Sequence, residues 1–249
     1  MATWNTVKIG WKADFVVACV DSVTGRIVRD AALQVWSPGH PRPVRKSDGY
    51  YVFLGCGQGT VSVQIKSPMF QDVSLEQELP DPQGSLPVRW VRLTPNRSYP
   101  FPEGTAFIEG TAAPGSRMAA IGGRPLRLGE DCKKGAEVIR LHLPWEIRLD
   151  GALLAVTVKG QKTVEKLRLG ELLDEGQYRV DVPLKKEYYM AQTALLPVWE
   201  TTVEEDGHFW LALPGALGTE ARCSCIGPRG TRPKEREIFL QETLTKLDF

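Results

Sequence analysis

The sequence predicts an all-β protein: two β-sandwich domains in succession, the second interrupted by a β-rich insertion. Three observations carry this. Short runs that alternate apolar and polar side chains, rich in β-branched and aromatic residues, recur from DFVVACV (14–20) to EIFLQ (237–241). Glycine (24) and proline (18) are plentiful and spread along the chain, so turns are many rather than gathered in one tail. One corner is also written twice, as SDGYYVF at 47–53 and EEDGHFW at 204–210.

Length and charge bound the rest. A chain of 249 residues holds two ordinary domains with ample core. At 42% hydrophobic, 24% charged and net +1, the composition is that of a soluble globular protein. So even a balance leaves no electrostatic footprint for nucleic acid or an anionic membrane. The start, MATWNTVKIGWKADFVVACVDS, lacks the basic opening and unbroken apolar run of a signal peptide. Five cysteines (Cys19, Cys56, Cys132, Cys223, Cys225) at no framework spacing read as reduced, mostly buried thiols. The expected setting is therefore the cytoplasm, or a particle assembled there.

Residues 1–13 form an N-terminal arm ahead of the first domain, 14–95. There strands alternate with turns at SVTGR, SPGHPRP, KSDG, GCGQG and SPMF. In the SDG corner Asp48 can bond its own following backbone, and Gly49 accepts positive φ without steric cost. Alternation then sends Tyr51 and Phe53 to the core and Tyr50 and Val52 to the other face. The proline-rich LTPNRSYPFPEG (93–104) cannot lie inside a paired sheet, which sets a boundary near residue 96. The opening GTAFIEGTAAPGSRMAAI (104–121) and the later TTVEEDGHFWLALPGALGTEARCSCIGPRG (201–230) resemble the two halves of a bacterial Ig-like repeat, and this resemblance implies one sandwich, 96–123 plus 199–249. Between them 124–198 carries strand-like runs of its own (VIRLHL, LLAVTV, YRVDV), and simple tandem β-units remain the competing arrangement. Two segments, 163–176 and 185–196, are as compatible with a helical turn or two as with strand. In the first, the spacing of Leu167, Leu169, Leu172 and Leu173 fits neither period cleanly.

The stretches VACVDSVTGRIVRDAALQVW and SDGYYVFLGCGQGTVSVQIKSPMF resemble the prealbumin-like β-sandwich of the Cna-B and carboxypeptidase-regulatory families. The resemblance covers about a third of the chain and implies a fold more than a function. Many domains of the Cna-B type close an internal Lys–Asn isopeptide bond beside a buried carboxylate. Here Cys19 stands at the lysine position and Gln64 and Ile65 at the carboxylate position. The two asparagines, Asn5 and Asn96, lie outside the final strand, so the bond is not expected. Residues 104–121 resemble the opening of bacterial Ig-like repeats, which implies an Ig-like second sandwich.

No catalytic residue, metal ligand set or cofactor site is assigned. His40, His142 and His208 form no paired spacing. Cys223 and Cys225 share one side of a strand, but a zinc site calls for about four ligands. GCGQG (55–59) leads into a strand, so no helix N-terminus awaits a phosphate. Glu130–Asp131 and Glu204–Asp206 lack the spacing of a calcium loop. Among the aromatics, Trp36, Trp90 and Trp210 fall within strands as core or half-core residues. Trp4 and Trp11 in the arm, with Tyr188 and Tyr189 in the insertion, are the candidate contacts for a partner or a glycan. The function expected is a non-catalytic structural or protein-interaction component of a larger assembly, such as a phage or phage-tail-like particle, working through protein partners or self-assembly. A carbohydrate-binding module is the alternative.

Overall fold

A computed structural model describes residues 13–79, 86–159, 161, 163, 165–228 and 233–249, which contain strands and no helix. The chain divides into two compact units, Met1–Tyr99 and Pro100–Phe249.

The first unit runs β1 (Ala13–Asp21), β2 (Gln34–Trp36), β3 (Val44–Arg45), β4 (Tyr50–Leu54), β5 (Thr60–Lys66), β6 (Val73–Glu78) and β7 (Val88–Leu93). They form two sheets, β3-β4-β1-β7 and β2-β5-β6, antiparallel except for the parallel pair β1·β7. The sandwich core between them collects Phe15, Val17, Tyr51, Phe53, Val63 and Ile65. Tyr51, Phe53, Val63 and Ile65 each alternate with more exposed neighbours, so strand periodicity selects them. β1 departs from alternation: from Val16 to Val20 every residue is buried, as an unbroken apolar run in a central strand should be. Ala18, the smallest of them, pairs with Tyr50 on one side and Trp90 on the other, and those two rings meet edge-on at 5.8 Å.

The division falls inside the proline-rich stretch, a little beyond residue 96, because 96–99 is tied back to the first unit. Asn96 Nδ2 donates to the carbonyls of Pro68 and Phe70, and the Tyr99 hydroxyl donates to Asp21 at 2.6 Å. The other contacts of Asp21, with the Val23 N–H and the Thr24 hydroxyl, close the Thr-Gly turn after β1.

The second unit begins with β8 (Ala106–Thr111) and β9 (Arg117–Ile121). It continues through β10 (Leu126–Arg127), β11 (Val138–Arg140), β12 (Leu153–Val158), β13 (Glu165–Asp174), β14 (Gln177–Val180) and β15 (Thr193–Thr202). It ends with β16 (His208–Leu213), β17 (Glu220–Ile226), β18 (Lys234–Phe239) and β19 (Leu244–Lys246). Leaving out β10 to β15, its connectivity is that of the first unit. β8 pairs antiparallel with β16 and parallel with β19, as β1 does with β4 and β7. β17 pairs with β9 and β18, as β5 does with β2 and β6. The distinction the sequence suggested between a prealbumin-like and an Ig-like sandwich is thus absent from the strand pairing.

The two corners match bond for bond. Gly49 N–H donates to Lys46 O and Lys46 N–H to Tyr50 O; Gly207 N–H donates to Glu204 O and Glu204 N–H to His208 O. Asp48 and Asp206 each accept the N–H two residues on, and both glycines hold positive φ, 96° and 83°.

Two large buried clusters and one small one occupy the second unit. One large cluster holds Ile108, Met118, Phe209, Leu211, Leu213 and Cys223 between the sandwich sheets. The other draws only on residues from 126 to 195, with Tyr178, Ile139, Leu154 and Leu169 at its centre. They meet through β15, whose first half pairs with β12 and second half with β9. Pro197 sits where the neighbour on one side changes from β10 to β9, so its missing N–H interrupts no ladder on that side.

Neither segment that the sequence left open to helix is helical. The first becomes β13, and its leucine spacing misleads for a physical reason. Leu167 and Leu169 point inward two apart, and then register shifts between Leu169, Leu172 and Asp174 break the period. The second is a loop followed by the first residues of β15.

Candidate interaction surface

Half of the exposed large apolar side chains among the described residues lie between 138 and 190: Val138, Trp145, Leu173, Val182, Tyr189 and Met190, six of twelve. The exposed apolar side chains therefore concentrate between β11 and the start of β15. Single exposed apolar side chains are ordinary, so the places of interest are those where several sit together on the chain.

The loop 185–192 is held. Tyr188 and Cys132 exchange both backbone hydrogen bonds, at 2.9 and 2.8 Å. The Tyr188 ring is buried, only 2% exposed, and its hydroxyl donates to Glu165 Oε1 at 2.7 Å. The Lys185 N–H reaches the same carboxylate. Burial, then the hydrogen bond to Glu165, pushes the Tyr188 hydroxyl well above the usual phenol range, so it stays a neutral donor. On this anchor the chain turns outward. Tyr189 is 53% exposed and its hydroxyl donates to Glu187, while the Met190 N–H donates to Asp131. The two adjacent tyrosines thus differ in role: Tyr188 offers no face to a partner, because its ring is packed among Leu128, Leu184 and Leu195, and Tyr189 offers one. Trp145, at 80% exposed the barest large apolar side chain described, stands on the turn closed by Ile147 N–H to Pro144 O. Strand periodicity does not single it out; the signal available was a tryptophan placed in a Pro-initiated turn rather than in a strand. Trp4 and Trp11 lie outside the described residues.

The remaining constellations are structural. Cys19 and Cys223 are fully enclosed, and burial raises each thiol to about 12, so neither is a thiolate at neutral pH. Cys225 faces the core with Cys223. In GCGQG, Gly55, Gly57 and Gly59 all take positive φ and turn the chain from β4 into β5. His40 Nδ1 meets the Ser37 hydroxyl within a turn. Among the described residues no three His, Cys, Asp or Glu side chains gather as a metal site would require.

No family model matches the chain, and no curated protein matches it. Among solved structures it is similar to the Bacillus anthracis TIE protein, at 9% identity over 96% of this chain and 51% of that one, with a TM-score of 0.24. It is similar also to the protein of "Alpha-glucan binding by a streptococcal virulence factor", at 12% identity over 94% and 93%, TM-score 0.20. A third likeness is to the shaft pilin SpaA of Lactobacillus rhamnosus GG, in its E269A mutant, at 8% identity over 95% and 96%, TM-score 0.21. This chain spans about half the length of the TIE protein. Superpositions this loose carry no argument about function; the all-β sandwich rests on the pairing of the strands themselves.

Proposed function

We propose that this chain is a non-catalytic structural or protein-interaction component of a larger assembly, in which the sandwiches are the frame and residues 124–198 the contact module. The observation that carries this is the anchored loop 185–192, which holds Tyr188 down and presents Tyr189 and Met190 side by side. Aromatic and methionine side chains on a fixed backbone are what interface centres use, since little side-chain entropy is lost on contact. On this reading 96–123 and 199–249 are one sandwich and 124–198 an insertion between its second and third strands. Two features support it: the connectivity shared with the first unit, and a buried cluster drawn entirely from 126–195. A phage or phage-tail-like particle is the setting we propose, by analogy of fold.

The test is association. Light scattering of the purified chain over a range of concentrations, with identification of proteins that co-purify from the native source, should reveal a partner or an oligomer. The double substitution Tyr189→Ser and Met190→Ser should weaken that association roughly tenfold or more. A strict monomer with no co-purifying partner overturns the reading.

A further inference from the structure

A second surface, on the other unit, has a different chemistry. The outer face of the sheet β2-β5-β6 has one uncharged row across all three strands, bordered on one side by Glu76 opposite Ser62 and Glu78 opposite Thr60. Alternation sends Val35, Val63, Ile65 and Leu75 toward the core and places Trp36, Gln64 and Ser74 side by side on the solvent face, one from each strand. Gln64 Nε2 donates to the Ser74 hydroxyl at 2.8 Å and the Ser62 hydroxyl at 3.3 Å. That leaves the Gln64 carbonyl and the hydroxyl lone pairs facing water. Trp36 is only partly buried, and its indole N–H has no hydrogen-bond partner among the described residues. At the end of the face Lys66 pairs with Asp72 at 3.3 Å, neutralising its own charge.

We propose that this face binds a neutral oligosaccharide, laid across the three strands with one pyranose ring on the Trp36 indole. A sugar ring has an apolar C–H face and a rim of hydroxyls. It is matched by an aromatic plane beside short amide and hydroxyl groups, each able to donate and accept. Lysine or arginine rows, which anionic polymers need, are missing from the middle of the face. A protein partner would look for a desolvated apolar centre, and this face has one aromatic ring and otherwise polar groups. The corresponding sheet of the second unit cannot serve: there β9 contributes Ala119 and Ile121 to an apolar cluster with Ala155 and Val198, and β15 continues the sheet. The site lies in the first unit, so it is independent of the loop at Tyr189.

The full-length chain is applied to an array of neutral and acidic glycans and to insoluble starch, cellulose and chitin, and the best soluble binder is titrated by calorimetry. Binding to a neutral glycan that persists at high salt is expected. Trp36→Ala should weaken it roughly tenfold or more, while Trp36→Phe retains part of it, since stacking survives without the indole N–H. Ser62→Lys, an exposed change that leaves the core untouched, should block the face if Trp36→Ala proves unstable. Tyr189→Ser should leave glycan binding unchanged, which separates this site from the assembly contact. The proposal is overturned if no glycan binds, if binding is lost with salt, or if Ser62→Lys binds as the parent does.

Discussion

The two sandwiches run the same strand order over different cargo. Between its second and third long strands the first unit has a short loop and the two-residue β3; the second has β10 to β15, with a core of their own. The position tolerates both because everything that closes the sandwich is made elsewhere. The corner, its Asp–N–H bond and the parallel closing strand are complete in either case.

The units differ most sharply under their closing strands, and that is where the comparison can be broken hardest. Gly110 of β8 has no room for a Cβ, which would lie 1.7 Å from the Leu247 carbonyl oxygen. In β1 a valine, Val17, sits beside the corresponding strand β7. Gly110→Ala should therefore push β19 off the sheet and cost about 3 kcal/mol. Urea unfolding should show the loss in the second unit alone, with amide exchange fastest at Leu247 and Phe249. An unchanged exchange rate there would refute the close approach.

The shared corner gives a graded pair. An alanine at Gly49 combines positive φ with a Cβ 2.5 Å from Ile27 Cγ2, whereas at Gly207 the nearest atom is 3.3 Å away. Gly49→Ala should cost about 2 kcal/mol and Gly207→Ala about 1 kcal/mol, the latter mostly backbone strain. Equal costs would mean that the corners are not sterically distinct.

A smaller change should stabilise. Thr193 is buried with its hydroxyl unpartnered, beside a small apolar cavity lined by Leu128, Ile139, Leu167 and Leu195. Thr193→Val keeps the shape, removes the unsatisfied oxygen and should add about 1 kcal/mol to the intervening core, measured by thermal unfolding.

The smallest effect is electrostatic. Asp248 accepts from both the N–H and the hydroxyl of Thr111, and these bonds hold its carboxyl below the usual carboxylate range. A group lowered in this way stabilises while ionised. Its contribution is present above the ordinary carboxylate range and disappears as pH falls through the folded value. Carboxyl chemical shifts titrated by NMR should show a depressed midpoint for Asp248, and Asp248→Asn should remove the acid dependence of Thr111 amide exchange.

What could be read from the sequence followed from how local its cause was. The alternation that buries Tyr51 and Phe53, the Asp-Gly corners and the all-β class depend on neighbours a few residues apart, and all were legible. β13 was ambiguous because its inward leucines are set by bulges against β14, a fact of pairing rather than of spacing. For the Tyr188–Tyr189 pair, composition identified the aromatics, but which one is buried depends on Cys132 and Glu165, far off in the chain. Trp145 was missed because exposure at a turn leaves no periodic trace.

β15 has a mechanical consequence. One unbroken ten-residue strand is laced to β12 at one end and to β9 at the other. A pull on the loop that precedes it is therefore carried as shear along rows of backbone hydrogen bonds, not as bending at a hinge. Rows loaded in shear yield together rather than one at a time, so β10 to β15 should behave as a stiff bracket that passes load straight into strands β9 and β17.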